Sequence, residues 1–98
     1  MSTSTLEQNV TATAVEVSAT ALTVVLSDGR SLSVPLDWFP RLKHGSRAER
    51  KNWQIFAEGT AIEWPDLDEH IGVDGILVGR RSSESKKSLA RWLAGRRK

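Results

Sequence analysis

ALTVVLSDGRSLSVPL, residues 21–36, is the stretch on which the fold turns. Leu22, Val24 and Leu26 alternate with smaller or polar neighbours, and after Ser27-Asp28-Gly29-Arg30 the alternation resumes at Leu32, Val34 and Leu36. A period of two is the mark of half-buried strands, so the segment reads as a β-hairpin. Its register follows from which side chains must share a face. A two-residue Asp28-Gly29 loop sets Val24 opposite Ser33 and Leu26 opposite Ser31, mixing apolar and polar positions. A three-residue Ser27-Asp28-Gly29 loop sets Val24 opposite Leu32 and Leu22 opposite Val34, joining the two apolar stripes. It also puts Gly29 at the left-handed position of a turn with a bulge, where a side chain is disfavoured.

Working outward, strand character begins near Val10 and runs through Val15 and Val17, while residues 1–9 read as a flexible leader. Downstream, Asp37 is the expected cap of a short helical turn with Pro40 in its first turn. Ser46-Arg47-Ala48-Glu49 matches a capping box, and a helix is predicted from there to about Ala57, with Trp53, Phe56 and Ala57 on one face and Gly59 as its stop. Residues 60–64 predict a short strand with Ile62 and Trp64 inward, ended by Pro65. An acidic turn follows, and residues 72–79 fit either a strand or a short buried helical turn. The tail predicts a second helix capped by Ser82, with Leu89, Trp92 and Leu93 in one narrow apolar stripe. The expected fold class is α+β: a small antiparallel sheet, the N-terminal hairpin plus a short strand, packed with one main helix, and a basic C-terminal helix. Residues 10–80 form a single domain in this reading, and residues 81–98 a basic helix or tail.

The 98 residues suffice for one domain and are too few for two ordinary ones. Cysteine is absent, which excludes disulfides and thiolate chemistry and suits a reducing cytoplasm. No apolar run has membrane-helix length and no signal peptide is visible, so a cytoplasmic protein is expected. The net charge of +2 hides segregation: −3 over residues 1–40, +4 over 41–57, −6 over 58–79 and +7 over 80–98. Internal pairing on a solvated surface accounts for such blocks, and so does contact of the tail with an acidic partner.

Chemistry finds little purchase. Asp66, Asp68, Glu69 and His70 are too nearly adjacent to converge on an ion, and no calcium-loop spacing is present. His44 and His70 are the only histidines, the serines have strand, turn or cap roles, and no nucleophile elbow, phosphate loop or dinucleotide fingerprint occurs. A non-enzyme without metal or cofactor is expected. Trp38 and Phe39 are consecutive, so an extended segment cannot bury both. They and Arg41 are candidate contacts for a protein partner, together with the acidic Asp66, Asp68 and Glu69. Lys86, Lys87, Arg91, Arg96 and Arg97 are candidate nucleic-acid contacts.

VPLDWFPRL (residues 34–42) and RKNWQIFAEGTAIEWPDLDEHIGVDGILVG (residues 50–79) resemble the bacterial family called domain of unknown function 2442. The matching positions are Asp28-Gly29-Arg30, Val34-Pro35-Leu36, Trp38-Phe39-Pro40-Arg41-Leu42, Arg50, Trp53, Gly59, Ile62, Trp64-Pro65, Leu67-Asp68-Glu69, Ile71, Val73, Gly75 and Gly79. Thr60-Ala61 departs from the small residues of the family pattern. The resemblance spans residues 15–80. It implies a small α+β fold and pairing with a second small protein, a suspected toxin, with this family as the suspected antitoxin. Some relatives carry an appended DNA-binding helical domain, but the tail here is too short for a helix-turn-helix. The expectation is a non-enzymatic protein-interaction module, with a small nucleic-acid-binding regulator as the alternative.

Overall fold

A computed structural model describes residues 10–96, so the leader at 1–9 and Arg97 lie outside the described residues. The hairpin closes in the three-residue register: β2 (Ala21–Leu26) pairs with β3 (Ser31–Pro35) with Leu22 opposite Val34 and Val24 opposite Leu32. Gly29 has φ +94°, and its N–H donates to Leu26 O at 3.1 Å. β1 (Ala12–Val17) pairs antiparallel along the other side of β2, with a register shift between Ala12 and Ala14, and completes a three-stranded sheet in the order β1-β2-β3.

The chain leaves this sheet through a 3-10 turn, Leu36–Trp38, and enters α1 (Pro40–Lys43). Pro40 does open the helix. Asp37 does not cap it: the Asp37 carboxylate instead pairs with Lys43 Nζ at 2.8 Å. Helix α2 (Arg47–Lys51) carries the complete capping box, with Ser46 Oγ accepting the Glu49 N–H at 3.1 Å and Glu49 Oε1 accepting the Ser46 N–H at 2.8 Å.

The helix predicted to reach Ala57 stops at Lys51. Residues 54–56 form β4 (Gln54–Phe56), paired with β5 (Ala61–Trp64), which pairs in turn with β6 (Glu69–Gly72). Trp53, Phe56 and Ala57 fit a helical face, but Trp53 and Ile55 fit a strand face equally well. A run this short does not separate the two by period. Pairing decides: Ile55 lies opposite Ile62, which lies opposite Ile71, so the strand form stacks three isoleucines on the inner face of a second antiparallel sheet. The short strand around Ile62 is therefore the centre of its own sheet and does not extend the hairpin. Gly59 is not a helix stop either. It sits in the β4–β5 connection at φ +89°, after Ala57 and Glu58 at +53° and +57°. A Cβ there would lie 2.7 Å from Thr11 Cβ, which is inside contact distance.

After β6 the glycine-rich 72–79 stretch resolves as helix α3 (Val73–Leu77). An irregular linker leads to α4 (Lys86–Arg96). Ser85, not Ser82, supplies the cap: Ser85 Oγ accepts the Ser88 N–H at 3.0 Å. The inner faces of both sheets share one core with α1 and α3. Leu22, Leu36, Leu42, Ile62, Trp64 and Leu67 are its fully buried members. The α+β class expected from the sequence is the class that forms.

The matched Arg50 is a staple within this frame. Its guanidinium donates to Leu42 O at 2.9 Å and Lys43 O at 2.7 Å, and its own carbonyl accepts the Trp64 indole N–H at 3.0 Å. Orphan carbonyls at the end of α1 are thereby satisfied, and the largest core side chain has its polar atom paired.

Candidate functional site

Arg41 projects from the first turn of α1 into the cleft between β6 and the linker preceding α4. It holds Glu84 with two parallel bonds, Nε to Oε1 at 2.9 Å and Nη2 to Oε2 at 2.6 Å. Nη1 reaches Asp68 O at 3.0 Å and the Asp68 carboxylate at 3.3 Å. The Arg41 and Glu84 side chains are only 16% and 10% exposed, so this pair is largely withdrawn from water, whereas the Asp68 side chain is exposed. Asp68 has φ +51°, and the bond from Arg41 to its carbonyl helps hold that left-handed turn at the entrance to β6. Ser88 Oγ donates to Glu84 Oε2 at 2.8 Å, tying the first turn of α4 into the network.

Two guanidinium groups stack on Trp92, that of Arg41 5.1 Å and that of Arg96 4.7 Å from its ring centre. Arg96 also pairs with Glu49 through bonds of 2.7 and 3.1 Å. Those bonds, with the capping-box contacts, hold the Glu49 carboxyl down at about 2. Helix α4 is therefore docked on the domain, through cation–π stacking and ion pairs at both of its ends.

Above this network lies an open groove of about 650 Å³, bounded by Arg41, Glu69, His70, Gly72, Ile76 and Glu84 among others. Glu69 belongs to the inner face of the second sheet, opposite Trp64 in the register, so its carboxyl sits at the margin of the core. Burial pushes it up to about 7; the Arg41 and His70 charges act downward, and those of Glu84 and Asp68 upward. A carboxyl whose folded-state value exceeds its unfolded value destabilises the fold as pH rises through that interval. Stability should be unaffected by Glu69 below its ordinary value of 4.5, fall as pH rises toward about 7, and level off above that. Glu69→Gln is accordingly expected to match the parent at pH 4 and to exceed it at pH 8 by about 1–2 kcal/mol, the shift being discounted for partial solvent screening. Urea midpoints at the two pH values test this, and equal midpoints at pH 8 would refute it.

Of the six expected partner contacts, the structure brings Arg41, Asp68 and Glu69 together at this groove. Asp66 lies apart and accepts from Asn52 Nδ2 at 2.9 Å. Phe39 is 4% exposed and faces the core, which removes it from the surface set. Its neighbour Trp38 is half-buried: the Arg81 guanidinium stacks 4.9 Å from its ring centre, and its carbonyl accepts the Ser82 N–H at 3.0 Å. The acidic turn is a 3-10 turn (Pro65–Leu67) running into β6, so Glu69 and His70 are strand residues. Among the basic candidates, Lys86, Lys87 and Arg91 are exposed, while Arg96 is engaged with Glu49 and Trp92. Glu84 was missed as a site residue. The available signal was that it is the lone acid in residues 80–98. Among the described residues no three His, Cys, Asp or Glu side chains converge as a metal site requires, and no helix is long and apolar enough to cross a membrane.

The family described as "Protein of unknown function (DUF2442)" matches residues 12–82. The match includes both sheets and ends before α4. No curated protein matches the chain. Two solved structures share the fold. One is a protein of unknown function from Rhodospirillum rubrum, 19% identical, with a TM-score of 0.66 over 83% of this chain and 98% of its own. The other is an uncharacterized protein from Chromobacterium violaceum, 20% identical, with a TM-score of 0.67 over 96% of this chain and 83% of its own.

Proposed function

Since the chain belongs to the DUF2442 family of proteins of unknown function, we propose that it is a non-enzymatic protein-interaction module, similar to the suspected antitoxin half of a small bacterial toxin–antitoxin pair. The observation that carries this reading is the groove where Arg41, Asp68 and Glu69 meet. Arg41 is rigidly held by Glu84, so the charges flanking the groove are fixed before any partner arrives. A preorganised polar surface loses less side-chain freedom on binding than a mobile one. In the cell the module would cover a functional surface of its partner.

The test is co-expression with the protein encoded beside it. Co-elution on size exclusion is expected, weakened by Glu69→Arg at the groove. Separate elution together with undiminished toxicity of the neighbour would overturn the reading. A second reading, nucleic-acid binding, is favoured by one observation: Lys86, Lys87 and Arg91 project outward from α4 with no acidic partner among the described residues. It predicts affinity for a DNA duplex that falls steeply with salt, the log–log slope losing about 0.9 for each phosphate contact removed by mutation.

A further inference from the structure

Strand β6 is an edge of the second sheet, since among the described residues it pairs only with β5. In an antiparallel ladder the backbone groups of alternate residues turn toward and away from the neighbouring strand. Val73 N–H donates to Thr60 O at 2.9 Å, in register with Ile62 opposite Ile71 and Trp64 opposite Glu69. Alternation then turns the backbone of Ile71 and Glu69 toward β5 and that of His70 and Gly72 toward the groove. Neither the His70 N–H and carbonyl nor the Gly72 N–H has a partner among the described residues. The edge is accessible: a Cβ built on Gly72 meets nothing within 4 Å. A groove of about 650 Å³ along three free backbone groups has room for a short extended peptide.

We propose that the β6 edge is a strand-addition site, at which an extended segment of the protein partner bonds to the backbone of His70 and Gly72 and places a lysine or arginine against Glu69. This rests on the interaction reading above and names its mode. Side chains of an added strand alternate between faces, as those of β6 do. The residues flanking the one opposite His70 fall on the inner face, one beside Glu69 and the other beside Ile71 and Ile76. The first position therefore recognises a cation, because among the described residues Glu69 accepts no side-chain hydrogen bond, while Arg41 at the same groove is committed to Glu84 and Asp68. The second recognises an aliphatic side chain. The recognised pattern is a cation and an aliphatic residue separated by one position.

A displayed library of random heptapeptides selected on the full chain supplies the probe. Selected sequences are expected to show that spacing, and their synthetic versions to shift the His70 and Gly72 amide resonances. Gly72→Pro isolates the edge. Gly72 has φ −81°, close to the proline value, and its N–H makes no internal bond, so proline removes a donor without disturbing the ladder. Gly72→Pro is expected to weaken binding at least tenfold, Gly72→Ala to leave it unchanged, and Glu69→Gln to weaken cation-bearing peptides several-fold. Peptides that bind Gly72→Pro as well as the parent, or that leave both amides unshifted, overturn the strand-addition site while the interaction reading stands. Recovery of no peptide overturns the site. If the neighbouring gene product also elutes separately, the interaction reading falls with it.

Discussion

Trp64→Ala is expected to remove about 3–5 kcal/mol of unfolding free energy, the largest effect of any single substitution in this chain. Small domains have about 5–15 kcal/mol in total, so the variant stands near the edge of folding. Trp64 is fully buried, at the centre of the core shared by both sheets, α1 and α3. Truncation opens a cavity whose walls belong to separately hydrogen-bonded layers, which resists collapse. It also frees the Arg50 carbonyl, and Arg50 is the residue that closes the end of α1. Trp64→Phe separates the two causes: most of the volume remains but the N–H is lost, and a cost of about 1–2 kcal/mol is expected. Urea titrations read both, with midpoints falling in that order at an unchanged slope. A Trp64→Phe midpoint as low as that of Trp64→Ala would place the stabilisation in the hydrogen bond and not in the packing.

Arg41→Ala is the second large effect, about 2–4 kcal/mol, the range for breaking a mostly buried pair with some solvent access. It leaves the Glu84 carboxylate 10% exposed with only Ser88 Oγ as its partner, and it strips one guanidinium from Trp92. The tail should then release from the domain. Limited proteolysis is expected to cut between Arg80 and Ser88 many times faster than in the parent. Arg41→Lys should not rescue the contact, because an ammonium cannot reproduce the two parallel bonds to Glu84. A double-mutant cycle with Glu84→Ala gives the coupling directly, and coupling near zero would mean that α4 is held by Arg96 and Glu49 alone. The pH sign is set by the carboxylate. Arg41 holds Glu84 below its usual range, so the stabilisation is present above that range and is lost as pH falls below it.

The sequence made the first sheet legible in detail, because alternation, turn chemistry and shared apolar faces all agreed on one register at Gly29. Of the second sheet only the central strand around Ile62 was legible, and for an identifiable reason. Residues 53–57 satisfy a helical and an extended period at once, and only Ile62 and Ile71, distant in sequence, break the tie. The capping box at Ser46 and Glu49 was real, but a capping box fixes where a helix begins and not how far it runs. At the site, charge blocks pointed to pairing without naming pairs. Arg41 and Glu84 are 43 residues apart, and no local rule links them. Phe39 was drawn to the surface by adjacency to Trp38, but the 3-10 turn before it rotates its ring inward.

Helix α4 packs back onto residues far upstream of it in the chain, Arg41 through Trp92 and Glu49 through Arg96. Both sheets are complete by Gly72 and α4 adds no buried residue to the core, so the frame that buries Trp64 is built without it. Contacts that form after the rate-limiting step of folding do not speed it. They slow the reverse reaction. The Arg41–Glu84 and Arg96–Glu49 clamps are thus expected to act as a latch on the finished domain, their removal speeding unfolding and leaving the folding rate unchanged.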